Sequence, residues 1–474
     1  MKVEQIYTGC LAQGAYYIMS EGEVAIIDPL REVDAYIQKA ALDKAQIKYV
    51  FETHFHADFV SGHLDLAKKT GAQIVYGPTA APAFDFYSAK DGELIALGKI
   101  KIKVIHTPGH TMESTCYLLI DESGKETALF SGDTLFIGDV GRPDLAQKVK
   151  AELTQDILAG HLYDSLRNKV MPLSDDIIIY PAHGAGSACG KKMSKETQDT
   201  LGHQKATNYA LAANMTKPEF IEAVLEGLVA PPGYFPLNVM MNIQGYDSID
   251  EVLSRGQHAF TPAAFELAAN ETKALILDTR DAQTFAKGFI PNAINIGIDG
   301  NFAPWVGAMI PDIKQEILLV TEPGRELEVI TRLARVGYDY TIGYLEGGFD
   351  AWKNAGKEID QIQSVSALDL ADQKEKDPAT LILDVRKASE YKSEHIKEAI
   401  NAPLDFINES MSMIDKDKTY FVHCAGGYRS MIFISILKAR GFDHLIDVKG
   451  GFKEIKETDR FKTTEYKTPT SLLL

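Results

Sequence analysis

The stretch Thr53-His54-Phe55-His56-Ala57-Asp58-Phe59-Val60-Ser61-Gly62-His63 decides how this chain reads. It follows the apolar run Tyr49-Val-Phe-Glu52, which has the pattern of a buried strand running out into a loop. His54 and His56 alternate, so two imidazoles leave one strand end close together, and Asp58 follows two residues on. Histidines and a carboxylate packed this closely are donors that first-row transition metals take.

Three later stretches repeat the setting. Lys101-Ile-Lys-Val-Ile-His106 alternates like a strand and opens into Thr107-Pro-Gly-His110. Ala128-Leu-Phe130 opens into Ser131-Gly-Asp133, and Ile177-Ile-Ile-Tyr180 into Pro181-Ala-His183. Each apolar run ends in a histidine or aspartate beside glycine or proline. Strand ends that open into loops are where scaffolds place reactive groups, and four of them converging form a metal cup.

These motifs, in this order, resemble the metallo-β-lactamase superfamily over about the first half of the chain. The resemblance implies an α/β fold, an αββα sandwich with a metal at one edge of its sheets. The family's first motif usually runs His-x-His-x-Asp-His, whereas Phe59 stands at its last position here. Phenylalanine cannot ligate a metal, so the dinuclear site of the family's hydrolases is expected to be incomplete. What remains is one metal on His54, His110 and Asp133, with His56 as a nearby donor. Two histidines and a carboxylate with open positions form the facial triad of non-haem Fe(II) oxygenases.

The pattern is similar to the persulfide dioxygenase branch, which oxidises thiol persulfides to sulfite with O₂. That likeness implies one Fe(II) per chain, with Zn as the alternative. It places Asp58 and His183 among the catalytic groups, His183 orienting substrate or bound water. Arg142, in Gly141-Arg-Pro-Asp144, has two readings. It binds a substrate carboxylate, as a similar run in that branch implies, or it forms a loop pair with Asp144. Cys189 follows His183 closely, and a reactive and a buried role stay open for it. Cys10 and Cys116 read as small buried hydrophobes. His63 and His106 read as supports for their loops.

Composition sets the class. The chain has 474 residues, 45% hydrophobic and 24% charged, which suits several globular domains with sizeable cores. A net charge of -17 argues against non-specific binding to nucleic acid or anionic membranes. Four cysteines are too few for a disulfide framework and suit a reducing compartment. No apolar run approaches bilayer length, and Met1-Lys-Val-Glu-Gln-Ile-Tyr7 lacks a signal peptide's apolar stretch. The expected location is cytoplasmic.

The expected domains are 1–229, a connector at 230–258, 259–360, 361–462 and a tail at 463–474. Ser194 to Leu228 reads as helical, and Ala230-Pro-Pro-Gly-Tyr-Phe-Pro236 breaks all periodicity. The second half then repeats itself. Leu275-Ile-Leu-Asp278-Thr-Arg280 recurs as Leu381-Ile-Leu-Asp384-Val-Arg386, and Glu346-Gly-Gly-Phe349 as Lys449-Gly-Gly-Phe452, at spacings of 106 and 103 residues. Short apolar strands alternate with helical runs, so each copy is a small doubly wound α/β unit.

The second copy holds Thr419-Tyr-Phe-Val-His423 followed by Cys424-Ala-Gly-Gly-Tyr-Arg-Ser430, with a helix expected from Met431 to Arg440. A cysteine at a strand end, opening a glycine-rich loop into a helix, is surrounded by inward N–H groups and the positive end of the helix dipole. Together with Arg429 these favour a thiolate at Cys424 and an anion bonded to it. The loop resembles that of rhodaneses, whose cysteine carries a transferable sulfur. The resemblance implies catalytic roles for Cys424 and Arg429 and substrate contacts from Gly426, Gly427 and Ser430. The first copy has Thr321 where the cysteine belongs, with Glu322 and Glu326 nearby to repel an anion, so it reads as an inactive rhodanese-like domain.

The resemblance of the whole chain is to bacterial fusions of the two activities. It implies a low-molecular-weight thiol persulfide and O₂ as substrates, sulfite and thiosulfate as products, and a homo-oligomer, with no nucleic acid or membrane partner. A zinc-dependent thioester hydrolase of the glyoxalase II type and a non-turning-over sulfur relay are the alternatives. The tail, ending Pro-Thr-Ser-Leu-Leu-Leu474, reads as an arm on a partner subunit or a loose end.

Overall fold

A computed structural model describes residues 1–144, 153–228 and 230–467. The chain divides into two units, Met1–Glu251 with Leu333–Tyr338, and Val252–Arg332 with Asp339 onward.

Two six-stranded sheets build the first unit. One runs β1 (Lys2–Thr8), β2 (Gln13–Ser20), β3 (Glu23–Ile27), β4 (Gln46–Phe51), β5 (Gln73–Tyr76), β6 (Tyr87–Ser88). The other runs β7 (Leu94–Leu97), β8 (Ile100–His106), β9 (Thr115–Ile120), β10 (Glu126–Gly132), β11 (Ile178–Pro181), β12 (Asp199–Thr200). The steps β3 to β6 and β10 to β11 are parallel, and the rest are antiparallel.

Side-chain alternation sets the layers. Tyr16, Ile18, Ala25, Ile27 and Phe51 of the first sheet share a core with Ile102, Val104, Tyr117, Leu119 and Phe130 of the second. The intervening residues face outward onto helices. Val24 and Ile26 pack with Tyr36 and Leu66. Cys116, Leu118 and Leu129 pack with Leu162, Leu166 and Phe220. Such strands are apolar on both faces because both are covered, and each fully buried side chain is worth about 1.5–3 kcal/mol. The result is the αββα sandwich that the sequence implies.

Residues 9–12 form a turn, where Ala12 has φ +49°, so β1 and β2 are separate strands. One local reading differs. The stretch read as helical from Ser194 contributes the edge strand β12 before its helices Leu201–Thr207 and Lys217–Leu225.

The second unit contains two five-stranded, all-parallel sheets of identical order. One is β13 (Ala259–Phe260), β17 (Thr341–Leu345), β16 (Ile317–Val320), β14 (Leu275–Asp278), β15 (Ile294–Asn295). The other is β18 (Ser364–Val365), β22 (Leu445–Val448), β21 (Tyr420–His423), β19 (Leu381–Asp384), β20 (Ile400–Asn401). These are the doubly wound α/β units of the repeat. Their ligand crevices are expected at the carboxyl ends of the strands.

The tail departs from expectation. Lys397 N donates to Lys462 O at 2.8 Å, Thr464 N to His395 O at 2.9 Å and Lys467 N to Ser393 O at 2.9 Å. Residues 462–467 therefore lie along their own domain and are not a loose end. The last residues, 468–474, lie outside the described set. No described helix is long and apolar enough to cross a membrane.

Candidate active sites

In the first unit the strand ends bring His54, His110 and Asp133 together. Their Nε2 atoms lie 3.9 Å (His54) and 3.4 Å (His110) from Asp133 Oδ2. Each ring's other nitrogen is taken. Thr53 Oγ1 lies 3.0 Å from His54 Nδ1, and Arg142 O lies 2.8 Å from His110 Nδ1. A carbonyl only accepts, so His110 carries a proton on Nδ1, and in the neutral ring the lone pair is on Nε2, toward a carboxylate. Lone pair facing anion is repulsive unless a cation lies between them. Asp133 is buried, and neither of its carboxylate oxygens has a hydrogen-bond partner among the described residues. Burial, then the neighbouring imidazoles of His56, His110 and His183, hold the His54 pKa well below its ordinary value, so that ring is a neutral donor too. Bonds of about 2.0–2.2 Å put adjacent donors about 3–4 Å apart, so these residues fit a divalent first-row cation.

A second donor group adjoins the first. His56, Asp58 and His183 each offer an atom within 4.8 Å of the others. His183 Nε2 is 3.5 Å from Asp58 Oδ2 and 3.6 Å from Asp133 Oδ1. The Phe59 side chain is buried against the His56 ring, with centroids 4.4 Å apart. Phe59 therefore removes one donor of the family motif and leaves three beside the first group. Burial opposes a proton on His183, but Asp58, Asp133 and then Cys189 outweigh it, and its pKa lies well above the usual value. Burial raises the Asp58 carboxyl, but His183 outweighs that and leaves it lowered.

His56 also faces away from the metal cup, with Nε2 3.1 Å from Asp28 Oδ1 and 3.6 Å from Glu52 Oε2. Asp28 in turn accepts from Thr53 N and Thr53 Oγ1, both at 2.8 Å, which fixes the start of the motif. The connector helix Phe235–Gln244 supplies a supporting residue that no sequence motif marks. Asn242 Nδ2 donates to His56 O at 2.8 Å and Phe59 O at 2.9 Å, and its Oδ1 accepts from Ser61 N at 2.9 Å. Asn238 and Asn242 stand one turn apart among apolar residues, the one local sign that this helix faces something polar.

Of the two readings of Arg142, the geometry gives the loop pair. Its Nε and Nη2 each donate to the Asp144 carboxylate at 2.7 Å, and Nη1 donates to Ala188 O at 3.3 Å. Cys189 is buried within 4.8 Å of Asp133 and His183. Burial, then Asp58 and Asp133, push its thiol up to about 12, which disfavours a free thiolate. Cys116 is core, whereas Cys10, expected to be buried, is half-buried, and Arg335 Nη1 donates to its sulfur at 3.3 Å. His106 is a loop support through Met112 O at 2.9 Å.

In the second unit Cys424 leaves the carboxyl end of β21 and is 1% exposed. Gly427 N donates to its Sγ at 3.1 Å. Gly427, at φ +98°, caps a helix Tyr428–Ala439 that starts three residues before the expected one, so Arg429 and Ser430 lie on its first turn. The repeated Gly-Gly-Phe has a steric cause. Gly451 stands at φ +60°, a Cβ there would lie 2.5 Å from Cys424 O, and Phe452 N donates to that oxygen at 2.7 Å. The repeated Asp-x-Arg locks onto the same phenylalanine. Arg386 forks onto Asp384 and lies 3.9 Å over the Phe452 ring, as Arg280 forks onto Asp278 and lies 4.3 Å over Phe349.

Two expectations for this loop change. Arg429 is not a free charge. Its Nη1 and Nη2 donate to Glu390 at 2.6 and 2.9 Å. Ser430 does not face the cradle. Its Oγ lies 3.0 Å from Asp447 Oδ1 and 3.2 Å from Gly427 O. Gly426 is open, with nothing within 4 Å of the position a Cβ would take. The His423 ring stacks on Phe452, and its Nδ1 lies 3.2 Å from Cys424 O. In the first copy Thr321 Oγ1 is buried without a partner among the described residues, and Gly324 N donates to both oxygens of Glu326 at 3.1 and 2.9 Å.

The family profile described as the metallo-beta-lactamase superfamily matches residues 8–183. A solved metallo-beta-lactamase from Staphylococcus aureus subsp. aureus COL is 33% identical, with 73% of this chain and 98% of that one covered and a TM-score of 0.63. The chain belongs to the metallo-β-lactamase superfamily. Its metallo-β-lactamase domain is followed by two rhodanese-like domains, matched at residues 261–355 and 366–458. The hydroxyacylglutathione hydrolase of Francisella tularensis subsp. novicida (strain U112) is 36% identical over 170 residues, 35% of this chain and 61% of that protein. The chain therefore spans less than two thirds of that relative's length. ETHE1 from Myxococcus xanthus is 27% identical over 51% of this chain and 100% of that one, with a TM-score of 0.43. The chain joins a metallo-β-lactamase fold with a metal-binding donor set to two rhodanese-like domains.

Proposed function

We propose that the chain is a non-haem iron persulfide dioxygenase fused to a sulfurtransferase. The observation that carries this reading is the buried Asp133 carboxylate, without a hydrogen-bond partner among the described residues, facing the Nε2 atoms of His54 and His110. One Fe(II) on these three residues supplies the redox chemistry with O₂. The net reaction takes R–S–SH, O₂ and H₂O to R–SH, sulfite and two protons, the sulfane sulfur giving up the four electrons that O₂ takes. The Arg142 carbonyl keeps His110 in the ligating tautomer, and Asp58 and His183 hold a proton between them beside the cup.

In the second unit the Cys424 thiolate attacks the outer sulfur of another persulfide. The S–S bond breaks and the carrier thiolate leaves. Sulfite then attacks that sulfur, the Cys424 thiolate leaves, and thiosulfate forms. Tethering both sites on one chain raises the effective concentration of sulfite at Cys424. The carrier is a low-molecular-weight thiol, the protein acts as a cytoplasmic homo-oligomer, and neither nucleic acid nor membrane takes part.

A second reading rests on the intact group His56, Asp58 and His183 and on the hydrolase relatives. With two zinc ions the site would hydrolyse a thioester by metal-bound hydroxide chemistry. Metal analysis of protein made in iron-supplemented medium, with O₂ uptake on a thiol persulfide, separates the two. One iron per chain and persulfide-dependent O₂ uptake are expected. Two tightly held zinc ions with thioester cleavage and no O₂ uptake overturn the proposal.

A further inference from the structure

The cysteine-free rhodanese-like copy has no sulfur carrier of its own, yet it makes close contact with the loop that has one. Tyr428 stands between Gly427, whose N–H reaches the Cys424 sulfur, and Arg429. Its ring crosses into the first copy, where its hydroxyl donates to Gly297 O at 2.7 Å. The notch is shaped for that ring. A Cβ on Gly300 would lie 2.4 Å from Tyr428 Cε2 and 2.5 Å from Cζ, and one on Gly297 would lie 3.3 Å from Cε2. Contacts as close as those at Gly300 do not occur, so with an alanine at 300 the seat of the ring has to shift.

Two further contacts converge on the same loop. Gln283 Nε2 of the first copy donates to Asp447 Oδ2 at 2.8 Å, and the other Asp447 oxygen lies 3.0 Å from Ser430 Oγ, which itself lies 3.2 Å from Gly427 O. Asn295 N donates to Ser435 Oγ at 2.9 Å, farther along the loop's helix. Every residue of that helix from Ser430 to Leu437 is buried. A helix buried all round needs cover on both sides. Its own sheet covers one and the first copy the other.

We infer that the cysteine-free copy positions the sulfur-transfer loop of its neighbour, with Tyr428, seated in the Gly297–Gly300 notch, as the positioning residue. Tyr428 sets the direction of the Gly427 N–H toward Cys424, because it is the next residue and its ring is pinned at the far end. The inference rests on the reading of Cys424 as the sulfur carrier.

The test uses full-length protein with Gly300→Ala and Tyr428→Phe. Two readouts are taken: sulfur transfer from thiosulfate, and the rate of Cys424 alkylation by iodoacetamide near neutral pH, followed by mass spectrometry. Gly300→Ala should lower kcat about tenfold with KM little changed, and slow alkylation, because a displaced group costs rate more than binding. Tyr428→Phe keeps the ring and loses one hydrogen bond, so it should show about a threefold loss in the same direction with only a small fall in melting temperature, from the Gly297 carbonyl left unpaired. Unchanged kcat and alkylation in a folded Gly300→Ala protein overturn the inference. Should Gly300→Ala fail to fold, an unchanged Tyr428→Phe does so alone. A wild-type protein without sulfur transfer defeats the carrier reading instead, and the alkylation rates still decide the positioning.

Discussion

Glu326 occupies in the first rhodanese-like copy the place that Arg429 holds in the second, and it takes the backbone amide that Arg429 leaves to the cysteine. Gly427 N points at the Cys424 sulfur, whereas its counterpart Gly324 N is taken by the Glu326 carboxylate. The first copy thus carries its own anion in the cradle. A missing cysteine is only part of its inactivity.

Thr321→Cys alone, in a Cys424→Ser background, should therefore give no sulfur transfer above background. Adding Glu326→Arg should raise persulfide formation at residue 321 at least about tenfold, since replacing a like charge beside a thiolate by an opposite one is worth a pKa unit or more. Persulfide labelling with mass spectrometry measures it. Equal labelling of the single and double variants would mean that Glu326 is not the obstacle.

Asp133→Ala should remove metal and O₂ uptake while leaving Cys424 able to take sulfur from thiosulfate. It should also raise the melting temperature of chelator-treated protein. In the metal-free state a buried carboxylate without a hydrogen bond costs about 1–3 kcal/mol, only partly offset by its charge contact with His183, which Asp58 also pairs; alanine relieves it. Calorimetry with and without chelator checks the sign. A loss of stability in both states would mean that Asp133 is held by protein contacts and not by a cation.

The metal donors are legible in sequence because each sits at the end of its own apolar strand, so the signal is local. The Asp-x-Arg and Gly-Gly-Phe repeats are legible for the same reason. Asn242 is not, since it reaches His56 from 186 residues away in a stretch that reads as linker. Nor is the Arg429–Glu390 pair, whose partners stand 39 residues apart with no motif between them. The early start of the helix at Tyr428 is hidden because Gly426-Gly427 reads as loop, although glycine at positive φ is what caps it. Both contacts join residues distant in sequence, and the helix start is set by a backbone angle that glycine leaves open.

Glu390→Gln should free Arg429 and tighten binding of thiosulfate or sulfite in the second copy, most visibly at low ionic strength. The same substitution should flatten the acid side of the stability profile. Burial raises the Glu390 carboxyl, but its hydrogen bonds from Arg429 outweigh that and leave its pKa lowered. A lowered carboxyl stabilises the fold above its unfolded pKa, and that contribution is lost as pH falls through the folded value. The wild type should thus lose stability relative to the variant below the usual carboxylate range. Urea titrations from neutral to acid pH test it; parallel profiles would show that the ion pair contributes nothing.

Cys424→Ser should separate the two chemistries. The variant keeps His54, His110 and Asp133, so persulfide should still be oxidised at close to the wild-type O₂ rate. The product should change from thiosulfate to sulfite, because no bound sulfane sulfur remains for sulfite to attack. Serine keeps the size of the side chain, and the N–H of Gly427 can donate to its oxygen, so the loop should hold its shape. Arg429→Ala should give a milder form of the same change. It leaves the nucleophile but strands Glu390, a negative charge, beside the incoming sulfite. Ion chromatography of the products, with O₂ uptake in the same vessel, reads both activities at once. Thiosulfate at the wild-type yield from Cys424→Ser would place the carried sulfur on another group. Cys189 is the poorest replacement chemically, its thiol pushed up to about 12 and buried beside two carboxylates, so that outcome would require the bound metal to reverse its environment.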